Sequence, residues 1–435
     1  MVLLKFWIVG VLLLVSCARL PVKTADKAMR KSQHPPALLF LSDDLGLDQL
    51  KQALRRHIDF FKKNLRTQPL QKEEAFLQFG PKKISKSFYF KKLEELYQSL
   101  LQSSDAFYQK LQSDFEVYEV YGGDHWGEVL VTSYYEPVLE VSEHRTDRFF
   151  QPIYRTPDDL VSIDLGEFAA RFPLLDSIKE RVIEQKSRER ILRGRLIISE
   201  KKVVPYFERA EIDSLFPPIP SRYILAWADP IEAFFLQIQG SGVLKFPSGK
   251  KIRVGYDAQN GYPYYPIGRA LKDVIPLEEM SLQKIERHLR SLPYEQMQAI
   301  LNQNKSYVFF KKLKGKALTF SGAPIEDGRS IASDYQFFPK GALGFLIFQK
   351  PIFSREKGEE NDLPDGWETV GRFVFDHDTG GAIRGTGHVD LYWGEGKKAK
   401  QVAGVMKKKG FLYYLVPRSD ESDENDPSMT KKVVF

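Results

Sequence analysis

The chain of 435 residues is poor in the groups that build disulfides and metal sites. It has one cysteine, Cys17, and seven histidines. A single thiol excludes an internal disulfide framework, so the fold must rest on its apolar core. The histidines show no HxxxH-like pairing and the cysteine lies far from them, so neither a metal site nor a cofactor is expected. There is no long basic block, which removes the usual footprint of a nucleic-acid partner. No apolar run beyond the first twenty residues is long enough to span a bilayer. There is no internal repeat. Asp378-Thr379-Gly380 matches the triplet of an aspartic protease, but two such triplets must share a proton and no second one occurs.

What is present begins at the N-terminus. One early cation, Lys5, precedes an apolar run from Phe6 to Val15, and Ser16 stands directly before Cys17. The run fits a signal-peptide core. Leu14-Val15-Ser16-Cys17 resembles a bacterial lipoprotein box, in which the cysteine is lipidated and becomes the first residue. The expectation is a signal peptide over 1–16, lipidation at Cys17 and a tether over 17–37. Ala18, in place of an aspartate, favours the periplasmic face of the outer membrane. Several acyl chains give stable anchoring where one is marginal. The whole chain carries a formal charge of +7, and loss of Lys5 leaves it near +6. An anionic wall polymer or a phospholipid surface would suit that weak excess equally.

Helical periodicity starts near residue 38. Leu47, Leu50, Leu54, Ile58, Phe61 and Leu65 recur at three- and four-residue steps, with Ser42-Asp43-Asp44 as cap and first-turn acids. A second helix is expected through Leu93, Leu96, Leu100, Phe107 and Leu111. After Val117 the chain turns to β-branched and aromatic runs separated by turn residues, the texture of small closed barrels. One helical interruption is expected, around Leu282–Asn304. The stretch 354–366 and the acidic tail 419–435 read as solvated loop and flexible tail.

Three aspartates carry the strongest chemical signal: Asp334 in ASDYQFFPKG, Asp378 in FDHDTGGAIRG and Asp390 in GHVDLYWG. Each sits where short strands meet tight turns, from which carboxylates can converge. His388 lies two residues before Asp390, on the same side of a strand. It reads either as a neighbour that tunes the acid or as an ordinary core or surface histidine.

The motifs then form an ordered set. VTSYYEPVLE (131–140), PIYRTPDDL (152–160), VPYFERAEID (204–213), DPIEAFFLQIQGSG (229–242), VGYDAQNGYPYYPIGRAL (254–271), NQNKSYVFF (302–310) and the aspartate segments run from about Tyr118 to Pro417. In this order the chain resembles the membrane-bound lytic murein transglycosylase A family, lipoprotein enzymes that cut peptidoglycan. It departs from the family pattern at Ser133, where glycine is expected, and in the N-terminal helical segment and the 354–366 loop.

The resemblance implies a mainly β fold with accessory helices. A double-psi β-barrel would carry the aspartates, with a second β-barrel inserted and a groove between them. Mapped on this chain, 38–87 is an N-terminal helical segment and 138–262 the inserted barrel. Segments 88–137 and 263–418 are the catalytic barrel, with the aspartate motifs at about 330–395.

The resemblance also implies an activity: cleavage of the β-1,4 bond between N-acetylmuramic acid and N-acetylglucosamine, leaving a 1,6-anhydromuramyl end. One carboxyl would serve as acid and then as base. Asp390 matches the family's acid, Asp378 its like-charge neighbour or orienter, and Asp334 a more structural member. Flat rings and amides suit acetamido sugars, so Tyr134, Tyr135, Gln237, Gln239, Ser241, Gln259, Tyr262, Gly380, Gly381 and Trp393 are the candidate glycan contacts. The expected partners are peptidoglycan glycan strands, the membrane through the lipid anchor, and wall-synthesis or wall-remodelling proteins. Two alternatives stay open: a muramidase that activates water, and a wall-binding lipoprotein without activity.

Overall fold

The computed structural model describes residues 21–37, 42–67, 76–175, 190–214, 217–354 and 363–418. The signal segment, Cys17, residues 355–362 of the expected loop and the acidic tail lie outside the described residues. No helix among the described residues is long and apolar enough to cross a membrane.

Six strands close the first barrel: β1 (Glu128–Glu136), β2 (Ser330–Ala332), β3 (Leu343–Ile352), β4 (Gly366–Asp378), β5 (His388–Glu395) and β6 (Lys407–Pro417). Their order around the ring is β6, β3, β4, β2, β5, β1, and β1 pairs again with β6. Two neighbouring pairs are parallel, β2 with β4 and β5 with β1, while the others are antiparallel. Parallel neighbours cannot be joined by a hairpin. Crossing connections therefore bring distant parts of the chain together at the barrel ends. Closure also removes the exposed edges of an open sheet.

A second ring is built from the segment between β1 and β2. Val138–Glu140, Ser241–Lys245, Lys251–Gln259 and Val308–Leu313 form one sheet, and Gln151–Tyr154 pairs with Ile224–Ala228. Single bridges from Ser142 to Trp227 and from Arg155 to Phe310 join the two pieces into a circuit. Pairing with Val308–Leu313 carries this ring past residue 262. Its core is Leu139, Ile153, Leu236, Leu244, Val254 and Phe310.

The N-terminal helices follow the expected stripe. In α1 (Leu47–Thr67) Leu50, Leu54 and Ile58 are fully buried in the core of the first barrel. The expected second helix is two helices, α2 (Lys86–Gln102) and α3 (Ser104–Asp114). Ser103 breaks them, its hydroxyl capping α3 by accepting from Ala106 N at 3.0 Å.

Three further readings are corrected. Met29–Lys31, inside the expected tether, pairs as a strand with Phe115–Val120 and buries Ala28 and Met29. Asp43 and Asp44 are not first-turn acids; they pair with Arg329 and Arg372 of the barrel. Pro230–Gln239, read as part of a β-rich stretch, is a helix. Asp229 caps it through the N–H groups of Ile231 and Glu232, both at 3.0 Å, and Pro230 occupies its first turn. Gly240 closes it at φ +79°, a left-handed conformation that glycine adopts without strain. The apolar run masked these cap signals, because a buried helix and a strand share composition.

Candidate functional site

The barrel topology sets two of the three aspartates on either side of one short strand. The short strand β2 lies between β4 and β5, and its Ala332 is opposite Asp378 on one side and Asp390 on the other. The two backbones are thus two strand spacings apart, about 10 Å. The register slips by one residue where Ala332 meets Asp378. On the far side of β5, Thr132 of β1 is the partner of Asp390.

The two carboxyl groups have different surroundings. Asp390 is half-buried, and Thr132 Oγ1 lies 2.9 Å from its Oδ1. Burial pushes its pKa up to about 7, the Thr132 hydroxyl pulls it down, and the charge of Asp378 raises it. Asp378 is also shifted up by burial, but four groups oppose the shift: the N–H of Phe320, that of Thr379, the Tyr134 hydroxyl and the Lys340 ammonium. The first three donate at 2.9, 2.9 and 3.1 Å. The Asp378 carboxylate is therefore the better hydrogen-bonded of the two, and Asp390 is the one furnished to hold a proton near neutral pH. Such divergence marks an acid and its electrostatic neighbour.

Asp334 has another position. Its side chain is buried, Oδ1 accepts from Gln336 N at 3.2 Å, and Oδ2 accepts from Gly385 N at 2.9 Å. Its carbonyl accepts from Phe337 and Phe338. These bonds tie the loop after β2 to the glycine loop before β5, with Gly385 at φ +73°. Lys340 Nζ donates to Asp376 Oδ1 at 2.6 Å and to Ser333 Oγ at 2.6 Å. Its charge also acts on Asp378 and Asp334.

The other candidate residues divide. Tyr134 touches Asp378 directly and leans on Tyr392, with ring centroids 5.1 Å apart. Gly380 and Gly381 belong to the loop after Asp378, and a Cβ on Gly381 would meet Tyr264. Tyr264 is pushed up to about 12 by burial, with the charge of Asp390 adding, so it faces the acid from the connection between Lys251–Gln259 and Val308–Leu313 of the second ring. Gln239 Oε1 accepts from Tyr135 N at 3.0 Å, and the Tyr135 ring is buried against Ala399 and Ala403. Gln237 is buried and accepts from Arg209 at 2.6 Å. Ser241 starts a strand opposite Gly255. Gln259 accepts from Gly261 N, and Tyr262 donates to the Tyr206 carbonyl. Trp393 donates to Ser133 Oγ at 2.9 Å and packs near Phe348 and Arg372.

Sequence reasoning did not single out Thr132, Lys340 or the Phe320 amide. Only the three-dimensional pairing reveals them. A cavity of about 330 Å³ lined by Arg145, Phe150, Trp227 and Tyr294 lies in the inserted segment, with none of the three aspartates in its wall. Among the described residues no cluster of three His, Cys, Asp or Glu side chains could hold a metal ion.

Two barrels and a raised carboxyl beside one held by three hydrogen-bond donors define an acid–base enzyme. Residues 130–311 match the family model described as the MltA specific insert domain, and 329–416 match the 3D domain. A membrane-bound lytic murein transglycosylase A homolog of Buchnera aphidicola is 25% identical over 384 residues, covering 84% of this chain and 89% of its own length. Membrane-bound lytic murein transglycosylase A of Escherichia coli K12 is 28% identical over 313 residues, 70% of either chain. Among solved structures, MltA from Neisseria gonorrhoeae superposes with a TM-score of 0.61 at 26% identity, covering 92% of this chain and 98% of its own. The membrane-bound lytic murein transglycosylase from Agrobacterium tumefaciens reaches 0.67 at 24% identity, covering 90% and 98%, which bears on the fold. The chain belongs to the membrane-bound lytic murein transglycosylase A family.

Proposed function

We propose that this protein cleaves peptidoglycan between N-acetylmuramic acid and N-acetylglucosamine by lytic transglycosylation, with Asp390 as the single acid and base. The observation that carries the reading is the Asp390 carboxyl, raised to about 7 beside Asp378, whose carboxylate is held by three hydrogen-bond donors. The names of the relatives supply the substrate class. Asp390 protonates the glycosidic oxygen as the C1–O bond breaks, and the N-acetylglucosamine hydroxyl leaves. The carboxylate then takes the proton of the muramyl C6 hydroxyl as O6 closes on C1. Asp390 ends protonated, and no water is consumed. Intramolecular attack carries an effective-concentration advantage of several kcal/mol, on the order of 7 at least for well-aligned groups, so one tuned carboxyl suffices.

In this reading Asp378 is the charged neighbour and orienter, and Asp334 fixes the loops. Tyr134, Tyr264 and the glycine loop 380–385 line the sugar path. The candidate contacts Gln237 and Trp393 act through packing, given their partners. The cysteine box at Leu14-Val15-Ser16-Cys17 and the membrane-bound names of the relatives support lipid anchoring on the periplasmic face of the outer membrane. Wall-synthesis or wall-remodelling proteins are candidate partners there.

The test is digestion of purified sacculi with the full chain in mild detergent, followed by mass measurement of the muropeptides. Anhydromuramyl ends are expected. Reducing ends, heavier by one water, would establish the muramidase alternative. Binding without cleavage would establish a non-catalytic wall protein. Loss of all products in Asp390→Asn is the matching expectation for the site.

A further inference from the structure

The reaction proposed above, on which this inference rests, asks Asp390 to hold opposite protonation states within one turnover. A fixed hydrogen-bond donor suits only the charged state. The group beside Asp390 is instead a hydroxyl with a second neighbour. Thr132 Oγ1 lies 2.9 Å from Asp390 Oδ1 and 2.8 Å from His388 Nε2. The three residues share one patch: Thr132 is the cross-strand partner of Asp390, and His388 precedes Asp390 by two residues.

A hydroxyl has one hydrogen, so between these neighbours it donates to one and accepts from the other. The His388 ring also hydrogen-bonds the Ala382 carbonyl. With Nε2 taken by Thr132, that bond falls to Nδ1, which must carry the ring hydrogen. Burial disfavours the imidazolium. Nε2 therefore offers a lone pair, and the Thr132 hydrogen turns toward it. The oxygen then faces Asp390 as an acceptor, an arrangement that favours the protonated carboxyl.

We propose that His388 is a positioning residue for Asp390: by drawing the Thr132 hydrogen to Nε2 it keeps the carboxyl in its acid form until substrate takes the proton. Once the proton has left, the Thr132 hydroxyl swings its hydrogen to the carboxylate. It swings back when the C6 hydroxyl returns a proton. The relay moves no heavy atom and needs no further reactant.

The other ionisable groups that face Asp390 are Asp378 from β4, Tyr134 from β1 and Tyr264 from a connection within the second ring. Both tyrosines are pushed above their ordinary range, chiefly by burial, and stay neutral in the working range. Lys407 of β6 pairs with Thr132 through the backbone, but its side chain is exposed. The tyrosines do not titrate in that range and Asp378 is untouched by the substitution, so a change seen on replacing His388 reports on the relay.

The experiment measures kcat and KM against pH on solubilised glycan strands, using the full chain and its variants. In His388→Phe the Thr132 hydrogen is released to the carboxylate. The alkaline limb should then move down by about half a pH unit or more. The same variant should lose about tenfold in kcat with KM within about twofold. Thr132→Val removes the donor from the carboxylate without touching the ring, so its limb should move up. Added to Thr132→Val, His388→Phe should cause no further shift, the signature of coupled residues. His388→Gln, whose amide oxygen can accept the same hydrogen, should restore part of the loss. A limb unmoved in His388→Phe, or shifts that add in the double variant, would overturn the inference. Should wild-type protein release no anhydromuramyl ends, the proposed function itself falls. If wild type releases them while the His388→Phe profile overlays it, only the relay falls.

Discussion

Replacing Asp390 by asparagine should abolish activity and yet stabilise the protein, and the gain should depend on pH in a stated direction. The carboxyl has an ordinary value of 3.8 and stands at about 7 in the fold, chiefly because burial penalises its charge. Below 3.8 it is protonated in both folded and unfolded chains, so it costs nothing. As pH rises the unfolded chain ionises first, and the folded state is penalised increasingly up to about pH 7, then by a constant amount. At about 1.36 kcal/mol per unit the ceiling is about 4 kcal/mol. Asp390 is only half-buried, so solvent screening reduces this to roughly 1–3 kcal/mol. Asparagine keeps the shape, carries no charge and can accept from Thr132. The melting temperature of Asp390→Asn at pH 8 should exceed that of wild type by a few degrees, on the scale of about 2–4 °C per kcal/mol for chains of a couple of hundred residues. At pH 4 the difference should shrink to about half a kcal/mol or less. The assay is thermal unfolding of both full chains followed by circular dichroism at the two pH values. A variant that melts lower at pH 8, or one whose gain is equal at both pH values, would refute the burial argument.

Two further substitutions probe the frame and the neighbour. Asp44→Ala leaves the guanidinium of Arg372, fully buried and paired at 2.6 Å, without its carboxylate. A loss of about 3–5 kcal/mol is expected in thermal or denaturant unfolding, and a shift below about 1 kcal/mol would deny the pair its role. Tyr134→Phe removes the only side-chain hydroxyl that donates to Asp378 at 3.1 Å among the described contacts. The Asp378 carboxyl should rise further, kcat should fall about tenfold, and stability should change by about 1 kcal/mol or less. A pH–rate profile identical to wild type would show that Asp378 does not report to the reaction.

The family and the order of the aspartates were legible in local motifs, the N-terminal helix in its apolar stripe, and the two-barrel fold followed only from the family resemblance. The α1 stripe from Leu50 to Ile58 is buried as its spacing requires. Other features depend on register between distant strands. Thr132 and Asp390 are 258 positions apart, and nothing near Thr132 distinguishes it from any β-branched strand residue. Nothing in the pattern around Lys340 marked it, yet it donates to the buried Asp376. Gln237 read as a sugar amide, but a helix turns it toward Arg209. The helix itself was hidden because FFLQIQ fits either a buried strand or a buried helix. Only Asp229, Pro230 and Gly240 could have decided between them.

The N-terminal addition had no legible role, and its contacts now give it one. Asp43 pairs with Arg329 at 2.8 Å just before β2, and Asp43 Oδ2 also accepts from Phe373 N of β4. Asp44 pairs with Arg372 of β4, and Arg56 with Glu326 at 2.6 Å. His57 Nδ1 meets His377 Nε2 at 2.8 Å, next to Asp378 in sequence. Buried ion pairs add little net stability over apolar packing, but breaking one is costly, so they specify position more than they strengthen the fold. The strands they fix are β2 and β4, the two that set the distance from Asp378 to Asp390 through Ala332. An acid whose proton affinity depends on a neighbour about 10 Å away along the sheet needs that spacing held. The helices therefore serve the site without touching it, by clamping the strands that carry its charges.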